Sequence, residues 1–283
     1  MRNGAPRFVF VSTICIFSHP ASSQELKLLP AAAASQQIRE LHAKLDSDAP
    51  NEKERDASFN LVQAKISEFI IAQLEAEPRL EPRHLRDEIR LLLGRKNQSV
   101  TGAQFDSRAE PEPEDPFIQR WPQSWEPGEK GIIIWGVTYS DPHHVGFMGN
   151  RIVVESYVVN QGKARLAGRG GSELNGVSMH ADRIWNSLPG LGVLIHGVVE
   201  WSSGHALPCK AALYSIDETG VHLIWRIDAA SLRVLPDPSG DAFALMYHDE
   251  ERHQSTGEFA LSSVVEVYEV LPGGLKQVLR QRY

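Results

Sequence analysis

Five histidines fall in polar stretches of the second half of the chain. His143 and His144 lie in "YSDPHHVG", His205 in "WSSGHALP", and His248 and His253 flank "DEER". Neutral imidazoles beside Asp141, Asp249 or Glu250 are donor types that hold zinc or a similar ion. The spacing in "HDEERH" departs from that of the paired-histidine zinc helices. The chain holds 11 histidines, and polar loops collect such residues by chance. They are read as loop residues with no cofactor. A zinc-dependent hydrolase using His143, His144, His205, His248 and His253 is the alternative.

A second set emerges when the chain is aligned on Tyr157, Tyr214 and Tyr268, which are 57 and 54 residues apart. Each lies in a strand-like run: "RIVVESYVV", "KAALYSI" and "VVEVYEV". Each run leads through a polar turn ("NQGK", "DETG", "LPGG") into another strand, and the residue twelve after the tyrosine is Arg169, Arg226 or Arg280. Three guanidinium groups at equivalent positions could grip carboxylate or phosphate. The plainer reading is a strand position that suits a long cation and resists edge pairing. Glu155 and Glu266 are also equivalent, each two residues before its tyrosine, with Ala212 in the middle copy. Two carboxylates about 5 to 9 Å apart can share acid–base work, but cross-strand pairing to arginine fits this alignment better.

Trp121, Trp125 and Trp201 are the aromatic candidates for a binding patch. "GRGGSE" is glycine-rich but lacks the lysine of a phosphate cradle, and it reads as a turn. Strings such as G-x-S-x-G, H-E-x-x-H and C-x-x-C are absent. Cys209 is expected to be buried and unreactive.

The elements that must position these residues change character along the chain. Residues 24–98 read as helical. "AAAASQQIRELHAKL" places Ile38, Leu41 and Leu45 at helical spacing. Phe59, Val62, Ile66, Phe69, Ile70 and Leu74 form one apolar stripe, and "PRHLRDEIRLLLG" is a third helix ending at Gly94. Residues 99–130 are acidic and proline-rich and read as an extended linker, with Trp121 and Trp125 pinning its end. Residues 131–283 turn to β-branched and aromatic runs punctuated by Gly and Pro.

The expected fold is α+β: an N-terminal helical segment, then an all-β domain of about three repeated antiparallel meanders. These would be propeller-blade-like or a sandwich. In "VHLIWRI", Val221, Leu223, Trp225 and Ile227 are expected to share one face, with His222, Ile224 and Arg226 on the other.

The formal net charge of −7 gives no electrostatic reason to bind nucleic acid or anionic lipid. Residues 1–23 read as a signal peptide: Arg2 and Arg7, then the short apolar run "FVFVSTICIF", then Ala21, Ser22 and Ser23. That run is too short to span a bilayer as a helix. The expectation is therefore an exported, periplasmic or extracellular protein with no membrane span after cleavage. Its role would be non-catalytic binding or scaffolding, through a protein partner or self-association.

Overall fold

The computed structural model describes residues 34–41, 52–77, 80–93, 116–121, 131–141, 150–171, 174–176, 178–184, 190–198, 208–237, 241–252, 259–272 and 274–283. Helices come first: α1 (34–41), α2 (Glu52–Ala76) and α3 (Pro82–Leu92). The predicted stripe on α2 is buried throughout, from Phe59 to Leu74, because its spacings of three and four keep these side chains on one side of the helix. Helix α3 opens on Pro82, whose fixed φ suits a first helical position. Of the expected first helix, Ile38 is buried, while Leu45 lies outside the described residues.

Twelve strands follow among the described residues. Strands β1 (Phe117–Trp121), β2 (Ile133–Asp141), β3 (Asn150–Asn160) and β4 (Lys163–Gly170) form an antiparallel meander, with the short β5 (Asn175–Gly176) added to β3. A second antiparallel sheet runs in chain order through β6 (Ser178–Ile184), β7 (Leu191–Val198), β8 (Pro208–Asp217), β9 (Gly220–Pro236), β10 (Ala242–Arg252), β11 (Phe259–Leu271) and β12 (Gly274–Arg282). The structure is mainly β, with two antiparallel sheets behind an N-terminal helical region. Among the described residues, no helix is long and apolar enough to cross a membrane.

Hairpins β3–β4, β8–β9 and β11–β12 share one register. Each closes through a two-residue loop, with Asn160 opposite Lys163, Asp217 opposite Gly220 and Leu271 opposite Gly274. Gln161 and Gly162 take positive φ values of 51° and 75°, as a tight hairpin turn with the twist of its strands requires. Each hairpin then carries a one-residue bulge at the same offset. Tyr157, Tyr214 and Tyr268 pair with Leu166, Leu223 and Gln277, and the preceding residues pair with Gly168, Trp225 and Leu279. Ala167, Ile224 and Val278 are the extra residues.

The bulge corrects the simple alternation expected for "VHLIWRI". An inserted residue shifts the side-chain phase by one. Val221 therefore packs with Tyr214 and Ile216, whereas Trp225 and Ile227 pack with Leu213 and Phe243 in a different cluster.

Three apolar clusters stack the elements into layers. The first joins the helices to one face of the β1–β4 sheet through Ile66, Ile70, Leu85, Trp135, Tyr139 and Tyr157. The second joins the other face of that sheet to β7 and β8 through Ile134, Val154, Val193, Ile195 and Tyr214. The third lies within the long sheet, between Leu194, Leu213 and Trp225 on one side and Val234, Phe243, Leu245 and Val270 on the other. There Trp225, Phe243 and Tyr268 form an aromatic trio with ring centroids 5.3 to 5.6 Å apart. This folding of the long sheet onto itself turns on β9. Its first half pairs with β8 and its second half with β10, and Ser231 between them has a φ of 52°.

Two further expectations change. Within the proposed linker, Phe117–Trp121 is strand β1, paired with β2 from Phe117 opposite Thr138 to Trp121 opposite Ile134. Arg120 anchors it, donating to the Leu80 carbonyl at 3.2 Å and lying 5.6 Å from the centre of the Trp135 ring. The "GRGGSE" stretch is not simply a turn, since Gly168 and Gly170 belong to β4. A Cβ on Gly168 would stand 2.7 Å from the Gly220 Cα, and one on Gly170 would stand 2.9 Å from Val221. Bare backbone at these positions lets the two sheets approach.

Gly168→Ala is therefore expected to destabilise the protein by about 1 to 3 kcal/mol through forced separation of the layers. Gly131→Ala, where nothing lies within 4 Å of the added methyl, serves as the neutral comparison. Urea denaturation midpoints of the two variants check this.

Candidate functional site

The described core contains two carboxylates, each in the same kind of setting. Glu155 on β3 is fully buried. Its Oε1 accepts from Ser67 Oγ on α2 at 2.9 Å and from Arg169 Nε on β4 at 2.7 Å. Its Oε2 accepts from the Tyr157 hydroxyl. Arg169 also donates to Ser67 Oγ at 2.7 Å and to the Gln63 carbonyl at 3.5 Å. Glu266 on β11 is 4% exposed. It accepts from Tyr268 at 2.8 Å and Tyr247 at 3.1 Å, and Arg280 Nε lies 3.2 Å away.

The shared register of the hairpins explains the likeness. Glu155 stands opposite Arg169, and Glu266 opposite Arg280, so the cross-strand pairing expected from the alignment is present at both places. In the middle hairpin Ala212 stands opposite Arg226, which turns instead to Asp228 at 2.7 Å.

Burial pushes the Glu155 carboxyl above its ordinary range, against the opposing pull of Arg169, Tyr157 and Ser67. Burial and the neighbouring carboxylate push Tyr157 well above a normal phenol. Tyr268 is raised in the same way, by burial and by Glu266. Desolvation works against the Arg169 cation, but Glu155 outweighs it and holds the charge more firmly. Both Glu155 oxygens are filled by donors from α2, β3 and β4. A carboxylate so engaged fastens α2, β3 and β4 together.

Five of the predicted candidates lie among the described residues: Trp121, Arg169, Arg226, His248 and Arg280. Of the five histidines only His248 is described; His143, His144, His205 and His253 lie outside the described residues, as do Trp125 and Trp201. His248 is corrected from a loop residue to an exposed position on β10. The β10–β11 ladder runs unbroken from Ala242 to Arg252, so backbone pairing carries the strand through this polar stretch. Its nearest described partner is Ser263 Oγ at 3.5 Å. Trp121 ends β1 and is 48% exposed. Arg169, Arg226 and Arg280 serve separate pairs rather than one surface. No group of three metal-ligand side chains is present among the described residues. Cys209 is buried, which raises its thiol.

Sequence reasoning missed Ser67 and Gln63. Both fall within the buried arc of α2, and a polar residue inside an apolar stripe is the signal that pointed to them. It also missed the pair on β6 and β7 in which His196 Nε2 lies 2.8 Å from Asp182, with the His180 ring 5.5 Å away. No periodicity marks those residues.

Among the described residues, an apolar surface stays uncovered on the face of the β9–β12 sheet turned away from the third cluster. Leu235, Ala244, Val267 and Leu279 form a single row across four strands, with Met246 and Val265 beside it. Leu235, Met246 and Leu279 are 55%, 43% and 44% exposed. The register equivalents of Val267 and Leu279 one layer back, Leu213 and Trp225, are covered by β10 and β11.

No protein-family model matches the chain, and neither a curated protein nor a solved structure matches it.

Arg169→Met is expected to cost about 3 kcal/mol, because it strands a fully buried carboxylate. Glu155→Gln leaves behind a guanidinium that is 30% exposed and can reach water, so its cost is smaller, about 1 to 2 kcal/mol. The pH dependence has a definite sign. A carboxyl whose folded pKa is raised binds protons more tightly folded than unfolded, so its contribution is present at low pH and lost as pH rises. Removing Arg169 removes the opposing pull. The deficit of Arg169→Met relative to wild type should therefore shrink between about pH 7.5 and pH 5. Denaturant titrations of the three proteins at both pH values check this.

Proposed function

We propose that this is an exported, non-catalytic binding or scaffold protein of the cell envelope, built from three copies of a four-strand meander. In this reading the copies are β1–β4, β6 to the first half of β9, and the second half of β9 to β12. The common register, bulge offset and tyrosine position of the three hairpins support the duplication. Each tyrosine faces the layer before it, and the opposite face receives the layer after it. The N-terminal helices occupy the tyrosine face of the first copy and act as a cap.

The observation that carries the binding reading is the open face of the last copy. Leu235, Met246 and Leu279 stand exposed, whereas Gly168 and Trp225, which correspond to Leu279 in the earlier copies, pack against the next sheet. An apolar face of this kind gains by being covered. The occupant is a protein partner or a second copy of the chain. Export rests on the charged, apolar and small-residue pattern of residues 1–23.

A photo-crosslinking residue placed at Leu235, Met246 or Leu279 should give the same discrete adduct in the native host. One placed at Gln36 on α1 should give none, and Leu279→Asp should abolish the adduct formed from Met246. Adducts that do not depend on position would defeat the reading. The mass of the protein purified from its host should correspond to cleavage near Ser23.

A further inference from the structure

On the same open face the β9–β10 ladder slips. Met246 pairs with Arg233 but His248 pairs with Ala230, so two residues of β9, Ser231 and Leu232, stand against Tyr247. Ser231 takes a φ of 52°, in the left-handed region that a serine rarely adopts. Bulges and backbone strain of this kind concentrate where a fold shapes a site. Beside the slip lies a half-open concavity of about 330 Å³, at the small end of ligand pockets.

Its lining has two characters. Met246 and Val265 supply an apolar side. Arg233, His248, Ser231 and Ser263 supply nitrogen and hydroxyl groups, and among the described residues the lining contains no carboxylate. The described acidic side chains of β10 and β11 nearest this site are engaged elsewhere: Asp249 with Arg282, and Glu266 with its tyrosines. An exposed guanidinium with no acidic neighbour among the described residues of its concavity suits a carboxylate, which can accept two parallel N–H bonds. The apolar side suits a short hydrocarbon tail.

We propose that this concavity binds small monocarboxylates with an apolar tail of about six to ten carbons. The Arg233 guanidinium receives the carboxylate, and Met246 and Val265 receive the tail. The proposal deepens the binding reading by giving the open face a ligand class of its own.

Octanoate is the probe, titrated into the full chain labelled with ¹³C at its methionine methyl groups. The expected result is a saturable shift of the Met246 methyl, with a Kd of about 1 mM or tighter. Octan-1-ol, which has the tail without the charge, and acetate, which has the charge without the tail, should each bind at least about tenfold more weakly. Arg233→Gln should weaken octanoate about tenfold while leaving the other methionine signals in place. No saturable shift, equal binding of octanol, or equal binding by Arg233→Gln would each overturn the proposal. The binding reading has its own test in the crosslinks at Leu279. If those persist and octanoate does not bind, the ligand site alone is lost.

Discussion

Everything in the first layer depends on one carboxylate placed where water cannot reach it. Glu155 sits in an apolar core made by three helices and a sheet, and it collects donors from α2, β3 and β4 at once. The apolar stripe of α2 would accept small slides along the sheet, because hydrophobic contact is not directional. Ser67 and Gln63 remove that freedom, since only one axial position of the helix brings them to Arg169 and Glu155. A buried ion pair adds little net stability of its own, because desolvation consumes the Coulombic gain. Its contribution here is the choice of one helix position among several that burial would tolerate.

The same chemistry recurs at Glu266 but not in the middle hairpin, and the packing explains the gap. Ala212 is fully buried against the first sheet. That sheet approaches at Gly168 and Gly170, close enough that a single added carbon would collide with Gly220 or Val221. A glutamate in place of Ala212 would need space that this approach removes. The outer layers face helices or aromatic rings, which leave room for a carboxylate and its hydroxyl donors.

Much of this was legible in the chain itself. The α2 stripe, the two-residue turns, the twelve-residue offset from tyrosine to arginine and the Glu–Arg pairing all follow from local periodicity and strand register. What escaped notice depended on contacts between distant segments. Phe117–Trp121 reads as linker because prolines surround it, yet it becomes a strand once the β2 edge is available to pair. Val221 and Trp225 look coplanar until a bulge, invisible to composition, inserts Ile224 between their phases. The histidines drew attention by residue type alone, and His248 proved to be part of a continuous ladder. The open face was unreadable for a different reason: Leu235, Met246 and Leu279 look like any core residues until the described layers are seen to leave them exposed.

Strand β9 spans 17 residues without a break and belongs to two layers at once. Backbone bonds along its first half close the second layer, and those along its second half close the third. Neither layer can lose this strand without exposing the ladder of the other, so the two should open as one cooperative block. The first sheet has a ladder of its own, and among the described residues it meets that block through the second apolar cluster and the β8–β9 turn. At that turn Ser156 donates to the Asp217 carbonyl at 2.6 Å and Arg165 donates to the Glu218 carbonyl at 3.2 Å, so directional bonds at one end fix the register of a junction that is otherwise apolar.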